Sequence, residues 1–175
     1  MSRLERIAYE ESLKAGDTKQ FFGCLILRHK RVLSKGHNFR AHNYTYNDLL
    51  SCCCHAEMDA IYRHLCLLGR WRDFYRVLKL SYRYTGVMRE MSPNLLSFLQ
   101  KLPRARRREK FKMYVFRFYA SGGLANSKPC AECTRWVWIA RELGIEYDIY
   151  YTTEEETLSR FTGDSNTYSP ISTYF

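Results

Sequence analysis

The sequence predicts a three-layer α/β/α sandwich built on a mixed β-sheet. Helical and strand patterns alternate along the chain as helix, strand, strand, helix, strand, helix, strand, with a basic segment set into the middle. The helical stretches close at glycines, and the strand stretches are rich in β-formers. With 175 residues, 46% of them hydrophobic and 15% aromatic, the chain has the size and composition of one domain that buries its own core. We expect a single domain over residues 1–175 with an insertion at about 70–112.

Each element follows from a short stretch. "ERIAYEESLKAG" (5–16) is an amphipathic helix that Gly16 can cap. The apolar run 21–28 is a strand, and "RVLSKG" returns as a second strand after a polar turn at His29–Lys30. Residues 39–54 are polar and irregular up to the cysteines. "HAEMDAIYRHLCLLG" (55–69) is a helix closed by Gly69, with Met58, Ile61, Tyr62, Leu65 and Leu68 along its buried stripe. Cys24 on the first strand and Cys66 on this helix are expected in the core. Within 70–112, "WRDFYRVLKL" and "NLLSFLQKL" have helical patches, with Pro93 and Pro103 as breaks. "KMYVFRFYAS" (112–121) alternates as a strand, and Gly122–Gly123 form a turn. A helix then runs from Cys130 to about Leu143 and stops at Gly144, and "IEYDIYYT" (145–152) is a strand. A short strand near "TLSRFT" would follow it, either parallel after a helix or, as its shortness favours, antiparallel as a hairpin.

Charge and cysteine content narrow the class. Residues 70–112 carry 13 Lys/Arg against three acids, which accounts for the whole formal charge of +10, so the remaining 132 residues are neutral. Apolar runs such as "CLIL" (24–27) are far too short to span a bilayer, and the N-terminal residues lack the apolar core of a secretory signal. An intracellular protein, cytoplasmic or nuclear and without a membrane partner, is the expectation. Seven cysteines, three of them contiguous, do not form a disulfide pattern and point instead to reduced thiols and a metal.

Two motifs carry chemistry: "HAE" at 55–57 and "PCAEC" at 129–133. Cys130 and Cys133, three apart at a helix start, fall on one side of its first turn, where the free N–H groups favour thiolates. His55 begins the other helix. Three such ligands make the catalytic zinc pattern, which leaves one position for water and lowers that water's pKa towards neutrality. Glu57, two residues beyond a ligand, is placed to move a proton between that water and a leaving nitrogen.

"HAE" followed by "PCAEC" resembles the H-x-E…P-C-x-x-C signature of the zinc-dependent cytidine and deoxycytidylate deaminase superfamily. The surrounding order also matches: "KGHN" ending a strand pair, "HAEMDAI", "YVFRFY" leading into "SKPCAEC", then "GIEYDIYYT". The resemblance covers about residues 5–155 apart from the insertion. It implies a cytidine deaminase-like fold, Zn2+ held by His55, Cys130 and Cys133, and Glu57 as the proton shuttle for attack of zinc-bound hydroxide on C4 of a cytosine-type base. It also implies that Asn38 contacts sugar or base, that the Ala56 backbone meets the base, and that Pro129 shapes the turn delivering Cys130. Substrates would be a cytosine-containing nucleoside, nucleotide or single-stranded nucleic acid, and homo-oligomers are common among such proteins. The separation of 75 positions from His55 to Cys130 is longer than many members need.

Other readings stand beside this one. A structural zinc knuckle would take a fourth ligand from Cys53 or Cys54, and Glu57 would then be a solvated first-turn carboxylate. Cys52, Cys53 and Cys54 read as small buried neighbours of the site. The basic insertion interleaves arginines with Trp71, Phe74, Tyr75, Tyr82, Tyr84, Phe98 and Phe111. Such a stretch either grips single-stranded nucleic acid or packs its aromatics on the domain. The alternatives are therefore an enzyme that edits adenosine or cytosine within nucleic acid, or a non-catalytic zinc-stabilised nucleic-acid-binding module.

Overall fold

A computed structural model describes residues 1–16, 20–40, 53–82 and 108–162 of the chain. The stretch "NLLSFLQKL", both insertion prolines, Cys52 and the tail beyond 162 lie outside the described residues, as does most of the basic insertion.

Helix α1 (Arg3–Ser12) starts with a capping box in which Ser2 and Glu5 bond each other's backbone N–H. It ends in a 3₁₀ turn (Leu13–Ala15), and Gly16 follows at φ 64°. Strands β1 (Phe21–Arg28) and β2 (Arg31–His37) form the expected hairpin, its turn made with His29 at φ 55°. The polar stretch after β2 has more order than its composition suggests. β3 (Phe39–Arg40) pairs antiparallel with β4 (Cys53–Cys54), with Phe39 opposite Cys54. Next come α2 (Ala56–Leu67), α3 (Trp71–Tyr82), β5 (Glu109–Phe118), β6 (Leu124–Ala125), α4 (Ala131–Glu142), β7 (Ile145–Thr152) and β8 (Leu158–Arg160).

The main sheet runs β2-β1-β5-β7-β8, with β6 added to β5. β5 and β7 are parallel and the other pairs antiparallel, so the sheet is mixed as expected, and β7–β8 is the hairpin. Its two faces carry separate cores. Cys24, Ile26, Met113, Val115, Tyr147 and Ile149 meet α2, α3 and α4 on one side. Leu25, Leu27, Phe116 and Phe118 meet Ala8 of α1 on the other. Burial on both faces explains why β1 reads as an unbroken apolar run instead of an alternating one. Helices on both faces make three layers.

Two glycines let helix backbones lie directly on the sheet. A Cβ on Gly23 would collide with the Ala8 carbonyl, and one on Gly36 with Ala56 O and Ala60 N. Ser34 adds a buried 2.8 Å hydrogen bond to Ala60 O. The start of α2 is thereby fixed against β2.

Helix α3, at the start of the basic segment, belongs to the core. Phe74, Val77 and Leu78 are fully buried, and Trp71 and Phe74 pack on Trp136 of α4 with ring centroids 5.9 and 5.1 Å away. Tyr75 packs against the same core, and Phe111 lies edge-on to His64. Four of the aromatics that could have served as stacking platforms are thus committed to packing. Cys66 departs from expectation: it is exposed, because position 66 sits next to the stripe formed by Ile61, Leu65 and Leu68 and faces outward.

Candidate metal centre and active site

β4 leads straight into His55, the N-cap of α2, and the 126–129 segment after β6 leads into Cys130, the N-cap of α4. Neither N-cap side chain caps its own helix; both turn towards the same point. His55 Nδ1 lies 3.3 Å from Cys130 Sγ and 3.3 Å from Cys133 Sγ, and the two sulfurs are 3.6 Å apart. These three form the one metal-competent group among the described residues. Glu57, in the first turn of α2, is buried against the same group, and its carboxyl hydrogen-bonds with Cys133.

A sequence model of the cytidine and deoxycytidylate deaminase zinc-binding region matches residues 1–147. The chain belongs to the cytidine and deoxycytidylate deaminase family. Among solved structures it is similar to the dCMP deaminase of cyanophage S-TIM5 in apo form, with 13% identity, 87% of this chain and 86% of that chain covered, and a TM-score of 0.40. The same phage enzyme in complex with dCMP and dUMP gives 12% identity, 87% and 84% coverage, and a TM-score of 0.40. A search of curated proteins returns no significant match.

The family's zinc fits the donor set of this deaminase chain. Zn–S bonds of about 2.3 Å and Zn–N bonds of about 2.0–2.1 Å at tetrahedral angles place the ligand atoms roughly 3.5–3.8 Å apart. The observed separations, 3.3 Å for each sulfur–nitrogen pair and 3.6 Å between the sulfurs, are each about 0.2 Å shorter than those values, a gap that a small side-chain adjustment closes. The three ligand atoms are two thiols and an imidazole nitrogen, the donors zinc prefers. Cys54, one of the two candidates for a fourth protein ligand, is buried and directs its sulfur to His55 O at 3.6 Å.

The electrostatics suit a cation. The Cys130 thiol is lowered to about 4, first because of its hydrogen bond with Cys133, with His55 adding to the effect. Burial pushes Cys133 well above the ordinary thiol value; a bound cation reverses that preference. Burial also raises Glu57 above the usual carboxylate range, opposed by the neighbouring His55. Such a carboxyl exchanges a proton more readily near neutrality than an exposed one.

Asn38 follows β2, where its amide accepts from Phe22 N (2.9 Å) and donates to Gln20 O (2.8 Å), tying the end of the hairpin. Ala56 is fully buried with its carbonyl over Gly36, and Pro129 is buried just before Cys130. A charge cluster around two buried carboxylates, Glu11 and Asp59, was not apparent in the sequence. Asp59 accepts from His37 N at 3.1 Å and pairs with Arg63 at 2.9 Å. Glu11 lies within ion-pair reach of Lys14, Lys35, His37 and Arg63. Burial opposes the Glu11 charge, but Lys14, His37 and Lys35 outweigh it and leave the carboxyl below its ordinary value. The Asp59–Arg63 spacing of four was the one visible hint, and it resembles any surface helical pair.

Proposed function

We propose that this chain is a hydrolytic deaminase of a cytosine-type base in a nucleoside, nucleotide or polynucleotide, with His55, Cys130 and Cys133 as zinc ligands and Glu57 as the proton shuttle. Zinc, when bound, supplies an acidified water at its remaining position. Glu57 would take a proton from the attacking water on a carboxylate oxygen and deliver it to the exocyclic nitrogen, with the water's other proton ending on N3 of the base. A C4–O bond forms, the C4–N bond breaks, and ammonia leaves with a uracil-type product. Ala56 and Pro129 line the two ligand-bearing turns, where a base would approach, and Asn38 holds the neighbouring strand end.

The observation that carries this reading is the buried Glu57 carboxyl against a three-ligand group with no fourth ligand among the described side chains. A structural knuckle needs a fourth protein ligand and has no use for a buried acid. The test is a panel of cytidine, deoxycytidine, dCMP and cytosine-containing oligonucleotides, with adenine counterparts. Ammonia and a uracil product are expected from at least one cytosine substrate. Zinc uptake without deamination of any substrate would favour the binding module, and turnover of the adenine set alone would move the reading to an adenosine editor.

A polynucleotide substrate is favoured by one feature of α3. Arg72, Arg76 and Lys79 are exposed on its outer face, and among the described residues none of them makes an ion pair. Like charges at this spacing weaken a helix slightly, whereas a phosphate backbone would neutralise them. Oligonucleotide affinity should then fall steeply with salt and drop when the three are changed to Glu. No binding at low salt would leave the free nucleoside or nucleotide as substrate.

A further inference from the structure

Thr152 is the last residue of β7 and Ser127 lies three positions before Cys130; 0% and 2% of their surfaces are exposed. The β5–β7 ladder ends with Val115 opposite Tyr151, and the 126–129 segment enters beside Thr152. Ser127 N donates to Thr152 O at 2.8 Å, and Thr152 N donates to Ser127 Oγ at 2.8 Å. The Ser127 hydroxyl donates to Val115 O at 2.8 Å. The Thr152 hydroxyl is directed to Ala125 O at 2.5 Å and Ser127 Oγ at 2.9 Å, and it accepts from Arg117 N at 3.4 Å.

We propose that Ser127 and Thr152 are positioning residues that hold Cys130 and Cys133 at ligand distance from His55 before the metal arrives. The inference rests on the zinc-ligand reading given above. The Cys130–Cys133 spacing is local to the first turn of α4 and needs no outside support. The distance from either thiol to His55 is different, because His55 stands on another helix 75 and 78 positions away. That distance depends on where the chain enters α4, which only the packing of α2 on α4 and the segment before Pro129 can fix. The side chains of Ser127 and Thr152 tie that segment to β5, β6 and β7 at once. Buried hydroxyls with every proton and several lone pairs in use have little freedom to relax.

The test is zinc affinity of the full chain, measured by competition with a colorimetric chelator, for Thr152→Val, Thr152→Ser and Leu27→Ala. Leu27 packs on the α1 side of the sheet, so Leu27→Ala lowers the melting temperature without touching the clamp. Thr152→Val should weaken zinc binding about tenfold or more, the range seen when groups supporting metal ligands are removed. Thr152→Ser, which keeps the hydroxyl, should restore most of it, and Leu27→Ala should leave the affinity unchanged. The clamp is overturned if Thr152→Val binds like the parent chain, if Thr152→Ser is as weak as Thr152→Val, or if Leu27→Ala loses as much affinity. A parent chain that takes up no zinc overturns the ligand reading itself, and is told apart because it needs no variant.

Discussion

His55 Nδ1 stands 3.3 Å from Cys133 Sγ although 78 positions separate the two residues. Cys54, next to His55 in sequence, turns its sulfur to a backbone carbonyl instead. Metal content should therefore separate the cysteines: Cys133→Ala and His55→Ala should lose bound zinc, and Cys54→Ala should keep about one per chain. Zinc retained by Cys133→Ala and lost by Cys54→Ala would reverse the assignment.

Glu57→Gln keeps the size and burial of the side chain but cannot carry the proton. Zinc content should stay at the parent level while turnover falls by at least about a hundredfold, the usual contribution of a positioned acid–base group. Turnover close to the parent's would remove Glu57 from the chemistry.

Gly36→Ala places a methyl group against Ala56 O and Ala60 N, backbone atoms that cannot rotate away. We expect a loss of about 2 kcal/mol or more in urea unfolding, at the upper end of overpacking. Because Ala56 lies between His55 and Glu57, zinc affinity should fall as well. An unchanged unfolding midpoint would mean that α2 lifts off β2 at little cost.

His64 is buried with Nδ1 2.8 Å from the Tyr147 hydroxyl, and burial lowers its pKa to about 4. In the unfolded chain the value is about 6.5. Between the two, the unfolded chain holds a proton that the folded chain does not, so stability rises with pH across that window and is lost as pH falls below about 6.5. The full effect is of the order of 3 kcal/mol. Unfolding of chelator-treated protein at pH 5 and pH 7 should show this dependence, and the double variant His64→Leu/Tyr147→Phe should reduce it, leaving the part that the lowered Cys130 thiol contributes with the same sign. A slope unchanged in the double variant would place the titrating group elsewhere.

Much of the fold was legible because its cues are local. Gly16, Gly69 and Gly144 end their helices, the polar His29–Lys30 turn marks the first hairpin, and β7 was read with its observed ends. The convergence of His55, Cys130 and Cys133 was legible because two short motifs at helix starts carry them. The rest depends on partners distant in sequence. Phe39 pairing with Cys54, Gly36 beneath α2, and the Thr152–Ser127 bonds have no periodic signature, since each residue looks ordinary in its own neighbourhood. Trp71, Phe74 and Tyr75 show the same limit from the other side. In a basic stretch they suggest stacking platforms, and only the position of Trp136 shows that they fill the core.

Helix α1 carries its own N-terminal acceptors, Ser2 and Glu5, whereas the N-cap side chains of α2 and α4, His55 and Cys130, turn to each other instead. The first turns of those two helices form without the ion, closed by Asp59 N to His55 O and Thr134 N to Cys130 O, and gain further stability when it binds. Backbone amide exchange should report this directly: stripping zinc should speed exchange at 56–58 and 131–133 together and leave 3–6 unchanged. Metal loss in this protein would then loosen two helix ends as well as remove chemistry.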